Sequence, residues 1–195
     1  MSIVPWVCTL AMFSAGGSTQ VRSADVWEAA DRAVVRLPPS AFPALPEVVK
    51  RDLERRHCTI PQPDPAAIGP APNRDRVHNV IHGDFQRRGQ TDWAVVCSRN
   101  RVSTILVFWG GRADNVSELE QRPDANFLQS WGVDTIVFSR TIAVASEAQI
   151  RDDFRRDEAT PPLLEHAGVE DVFLGKASTV WYWRTGKWVR LTGAD

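Results

Sequence analysis

The stretch DWAVVCSRNRVSTILVFW, residues 92–109, contains two runs, Trp93–Cys97 and Ile105–Trp109, in which every position is apolar. A strand with one wet face alternates polar and apolar residues, whereas a short run apolar at consecutive positions belongs to a strand covered on both faces. The polar link Arg99-Asn100-Arg101 is short enough for a tight hairpin connection. Residues 92–97 and 103–109 therefore read as the antiparallel centre of a sheet.

Upstream, Asp25-Val-Trp-Glu28 has the capping-box spacing and opens a predicted helix that ends at Leu37, with Trp27, Ala30 and Val34 on one face. A second helix begins at Leu45-Pro46 and places Leu45, Val48, Val49 and Leu53 on one side. Between residues 59 and 73, five prolines predict an extended surface connector. Downstream, Thr135 to Val144 supplies another strand or strand pair, with Ile136, Phe138, Ile142 and Val144 on one side. Ser146-Glu-Ala-Gln149 caps a short helix bearing Ile150 and Phe154. The pattern predicts one α+β domain over residues 25–195, with amino-terminal helices packed on an antiparallel β-sheet.

Composition narrows the function. Lys plus Arg number 23 and Asp plus Glu 24, so no net field attracts a polyanion and nucleic acid is not an expected partner. Residues 1–24 read as a secretory signal: an apolar run from Ile3 to Phe13, then small residues, with cleavage after Gly17 or before Asp25. That run is shorter than the roughly 20 residues a membrane span needs, and no other segment qualifies. In an oxidising, periplasmic or extracellular location Cys58 and Cys97 are expected to form a disulfide.

Asp84, Gly89 and Asp92 occupy the first, sixth and ninth positions of an aspartate-rich calcium loop, with Gln86 and Arg88 at the third and fifth. Residues 84–92 thereby resemble a degenerate loop of the FG-GAP and VCBS repeats. A guanidinium at a ligand position opposes a divalent cation, so the expected arrangement is metal-free, with Arg88 bridging Asp84 and Asp92. Neither a metal nor another cofactor is expected. His78 and His82 are four apart, but on a strand they stand roughly 13 Å from each other, too far to share an ion. The enzymatic alternative is a small hydrolase using His82 with Asp84 and Asp92.

In STVWYWRTGKWVRLTGAD, residues 178–195, a turn at Thr185-Gly186 pairs Trp183 with Trp188, Tyr182 with Val189, Trp181 with Arg190 and Val180 with Leu191. One face is then Val180, Tyr182, Val189 and Leu191, a core face. The other collects Trp181, Trp183, Trp188 and Arg190, an aromatic ledge that is a contact surface for a protein or glycan if exposed, and core if covered. The segments LPPSAFPALPEVV, CTIPQ, TDWAVVCS, STILVFW and GKWVRLTGAD together resemble a group of exported bacterial proteins to which no activity attaches. That resemblance implies export and a single compact domain. The leading expectation is a non-catalytic extracytoplasmic binding or interaction module; a purely structural domain is the third reading.

Overall fold

The computed structural model describes residues 18–70, 76–133, 135–157 and 159–193, with backbone alone for 18–23. Residues 1–17, which carry most of the expected signal, lie outside the described residues. The hairpin over residues 92–109 forms as expected: β4 (Asp92–Arg99) and β5 (Val102–Phe108) pair in antiparallel register around Asn100 and Arg101. Both turn residues have positive φ, 51° and 61°, the twist that suits a two-residue link between right-twisted strands. With β3 (Val80–Gly83) and β6 (Val116–Pro123) they build a four-stranded sheet in the order β3-β4-β5-β6.

Both faces of this first sheet are covered, as the unbroken apolar runs require. On one side Val95, Cys97, Leu106 and Phe108 pack against Val49 and Leu53 of α2 (Glu47–Arg55) and against Phe42 and Leu45 before it. On the other side Ala94, Val96, Ile105 and Val107 meet Ile142 and Val169 of a second four-stranded sheet. That sheet runs β12-β11-β10-β9, from β9 (Arg140–Ala145), β10 (Gly168–Phe173), β11 (Ala177–Arg184) and β12 (Lys187–Thr192). Its far face, Val180, Tyr182 and Leu191, is closed by Ile150 and Phe154 of α4 (Glu147–Arg156). The predicted cap at Ser146 is present: its hydroxyl accepts from the Gln149 amide at 3.2 Å.

The fold is mixed α+β, but the described residues form four antiparallel sheets where one was expected, and the helices are not confined to the amino-terminal side. Three local expectations need correction. The first helix, α1 (Ser18–Ala33), stops before Leu37 and runs through Asp25, which is therefore not its cap; Arg36–Leu37 instead form β1. Arg36 supplies the reason, since its guanidinium reaches Asp31 at 3.1 Å and Asp124 at 2.8 Å, holding the chain extended after the helix. The proline-rich connector does not simply run over the surface. Its Ile60 is fully buried, β2 (Ile60–Pro61) pairs with β1, and Asp64 caps a single helical turn, α3 (Pro65–Ile68).

Thr135–Val144 is divided between sheets. Its first part is β8 (Thr135–Phe138), paired with β7 (Leu128–Trp131) in a small ribbon against which Ala30 of α1 and Val34 just past it pack. Its second part is β9, in the second sheet. Ser139, buried between them, donates its amide to the Phe127 carbonyl at 3.0 Å next to the ribbon, while its own carbonyl accepts from the Leu174 amide at 2.9 Å, just past β10 of the second sheet.

Candidate ligand-binding site

The loop over residues 84–92 keeps its turn without the expected bridge. Gly83 pairs with Asp92 across β3 and β4, and Gly89 takes φ 80°, a conformation that favours glycine. Asp92 is fully buried, and its carboxylate accepts four hydrogen bonds: from the amides of Phe85 (2.9 Å), Gln86 (3.0 Å) and Gly110 (2.7 Å), and from Gln90 Nε2 (2.6 Å). Backbone N–H groups thus stand where a cation's charge would have been. Arg88 does not bridge Asp84 and Asp92. Its side chain is 71% exposed and pairs with Glu147 at the start of α4, at 2.7 Å. The correction follows from cost: three local amides satisfy the carboxylate without desolvating a guanidinium.

Asp92→Asn should therefore lower stability by about 1–3 kcal/mol, because an amide NH2 would face donors in a buried site. Urea unfolding measures the loss. A chelator should leave the wild-type Tm unchanged, and a chelator-dependent drop would restore the calcium reading.

The hydrolase trio does not assemble. His82 pairs across the ladder with Trp93, and its ring lies 4.9 Å from the indole. Successive residues of a strand point to opposite faces, so His82 stands on the Trp93 side and Asp92 on the other. Asp84 contributes its carbonyl, which accepts from the Ala167 amide at 3.0 Å. His78 precedes β3 and exchanges backbone hydrogen bonds with the Gln62 side chain. Among the described residues, no group of three or more His, Cys, Asp or Glu is placed to hold a metal ion.

The tryptophan hairpin has the predicted register, with Thr185 and Gly186 both at positive φ in its turn. Its tryptophan face, however, is turned toward the first sheet. Trp181, Trp183 and Trp188 are half-buried against the inter-sheet core, and Trp109, at the end of β5, lies 5.0 Å from Trp183 and 5.3 Å from Trp188. The Nε1 groups of Trp181 and Trp188 are buried. No open aromatic ledge results, and Arg190 alone of the four is exposed. The covering layer is the first sheet, not the amino-terminal helices.

One edge of this aromatic cluster still reaches a cleft. A cavity of about 350 Å³ is bounded by Gln86, Glu165, His166, Tyr182, Trp183 and Arg184. Its polar groups are pre-set. His166 is buried, stacked on Tyr182 at 4.5 Å, with Nδ1 2.8 Å from the Ala167 carbonyl. A carbonyl can only accept, so Nδ1 carries the proton and, in the neutral ring, Nε2 is left as an acceptor. Tyr182 accepts from the Glu165 amide at 3.3 Å, fixing the rim, and burial pushes its phenol pKa above the ordinary value, so it stays neutral. Gln86 is held twice: Asp92 binds its amide, and its Oε1 accepts from Gln90 Nε2 at 3.0 Å, leaving the side-chain NH2 as a donor.

A second polar cleft, about 470 Å³, adjoins on the other side of Gln86, with Arg87, Gln90, Trp109, Arg112 and Asn115 around it. The metal-like loop thus serves as the shared wall of two clefts. Glu165 and His166 are absent from the sequence-based candidates because LLEHAG, residues 163–168, has no periodicity or spacing that marks a site. No protein-family model matches the chain, and no curated protein or solved structure matches it.

Proposed function

We propose that this protein is a non-catalytic extracytoplasmic binding module that takes a neutral saccharide in the cleft between the 84–92 loop and the tryptophan hairpin. Its Cys58–Cys97 disulfide supports an oxidising compartment. Among the described residues, no helix is long and apolar enough to cross a membrane.

The carrying observation is the group of planar polar side chains beside Trp183, of which His166 and Gln86 are pre-set by their neighbours. Sugar hydroxyls both donate and accept, which matches an imidazole acceptor at His166, an amide donor at Gln86, the Glu165 carboxylate and the Arg184 guanidinium. The apolar face of a pyranose packs on an indole. Groups already held by neighbours lose little freedom on binding. Glycoside hydrolysis in most families uses two carboxyl groups flanking the bond, and this cleft presents one, Glu165.

Titration of the mature protein with a panel of neutral tri- and tetrasaccharides, followed by NMR shifts, tests the reading. At least one sugar should saturate. Glu165→Gln and Gln86→Ala should each weaken it about tenfold, roughly 1.4 kcal/mol, with Tm unchanged and no sugar cleaved. A panel that binds nowhere, or binds both variants as tightly as wild type, refutes the saccharide assignment.

A further inference from the structure

A different cavity is built for a different chemistry. Between α1, β1, α3 and β8 lies a half-enclosed cleft of about 280 Å³, walled by Val34, Leu37, Ile68, Ile136 and Phe138. At its mouth Val35 and Val77 are 59% and 51% exposed, an apolar surface that a monomer gains nothing by leaving wet.

Polar groups occur on the rim, and most are already engaged by the fold. Gln62 donates to the carbonyls of Ile60 and His78 and accepts from the His78 amide at 2.7 Å. Asp64 accepts from the Ala66 amide at 2.8 Å as the cap of α3. Arg76 is exposed and, among the described residues, pairs with no carboxylate. Among the described residues, the cleft therefore combines an apolar floor with one uncommitted cation at its edge, Arg76.

We infer that this cleft binds a free, single-tailed amphiphile with an anionic head, its tail on Val34, Ile136 and Phe138 and its head on Arg76. Concavity selects the free molecule over a bilayer. A tail can enter and be covered on several sides, whereas a membrane surface would touch only the mouth. The size suits one chain rather than a folded partner, whose interface would be far larger. The inference is independent of the saccharide cleft.

Calorimetric titration of the full chain with decanoate below its micellar concentration is the test, alongside decyltrimethylammonium and anionic phospholipid vesicles. Decanoate should bind saturably at one site, and the ammonium of equal chain length at least tenfold more weakly. Arg76→Glu should weaken decanoate at least tenfold. Ala33→Phe, at an exposed position of α1 that lines the cleft, should abolish binding with Tm unchanged; if it lowers Tm, Ile68→Trp is the second filling variant. Equal affinity for the two head groups, wild-type affinity in a stably folded filled variant, or an absence of saturable decanoate binding each overturns the proposal. Vesicle sedimentation without decanoate binding also overturns it and assigns the patch to a bilayer surface.

Discussion

Arg140→Ala should destabilise the protein by about 3–5 kcal/mol, the range for leaving one member of a buried ion pair alone. Arg140 is fully buried, the largest side chain among the described residues to be so. Its Nε and Nη2 form a two-pronged pair with Asp171 on β10 at 2.8 and 2.7 Å, while Nη1 donates to Ser103 Oγ on β5 at 2.6 Å. The guanidinium also lies 4.2 Å from the centroid of Phe127. One side chain on β9 thus joins the first sheet, the second sheet and the α1-side core. Truncation strands the Asp171 carboxylate, itself only 6% exposed, away from water.

The matched control is the double variant Arg140→Met, Asp171→Leu, which removes both charges and keeps apolar volume. It should recover most of the loss, since apolar replacements of a buried pair are often neutral or better. Urea unfolding of wild type, the single and the double variant reads both quantities. A single variant that costs under about 1 kcal/mol would show that water reaches Asp171, contrary to the burial seen here.

Opening the Cys58–Cys97 bond should cost about 4 kcal/mol on the chain-entropy account, because the bond closes a loop of 39 residues. That loop contains β2, α3 and β3. The bond ties the residue just past α2 to the centre of β4, and both cysteines lie in the core that α2 shares with the first sheet. Cys58→Ser with Cys97→Ser should lower the urea midpoint and raise the m-value, because the denatured chain without the cross-link exposes more surface. The same protein purified from a reducing cytosol should match the double variant. If oxidised and reduced forms unfold at the same midpoint, the connector is held by its own contacts, such as the β1–β2 ladder and the Thr59–Ser98 bridge.

Both variants test long-range links, and these differ in how visible they are in the chain. The disulfide was readable because only two cysteines follow the apolar run from Ile3 to Phe13, so pairing between them had one solution. Arg140 carried no such mark. It interrupts an apolar run, which reads as a kink or an edge, and its partners lie 31 and 37 residues away with nothing local to indicate them. The Asp92 site shows the same division. The spacing of Asp84, Gly89 and Asp92 announced a turn, but Arg88 finds Glu147, 59 residues on, instead of the nearby carboxylates.

What the chain by itself determined is whatever two-residue turns, caps and periodicity control: the 92–108 hairpin, the register of Trp183 with Trp188, the Ser146 cap, the mixed α+β class and the burial of Val49 and Leu53 on α2, where Val48, expected on the same side, is instead 42% exposed. These rest on contacts within a few residues or across one turn, where stereochemistry leaves few choices. Only the tertiary structure decided what lies on each face. A period of two separates Trp181, Trp183 and Trp188 from Val180, Tyr182 and Leu191, yet both sets are apolar, and either could face a helix, a sheet or water. Burial of the tryptophans under the first sheet, the splitting of residues 135–145 at Ser139, and the meeting of Gln86, His166 and Trp183 at one cleft are set by the packing of distant layers. Hydrophobic attraction is non-directional, so the sequence carries the preference to be covered and leaves the identity of the cover to the whole fold.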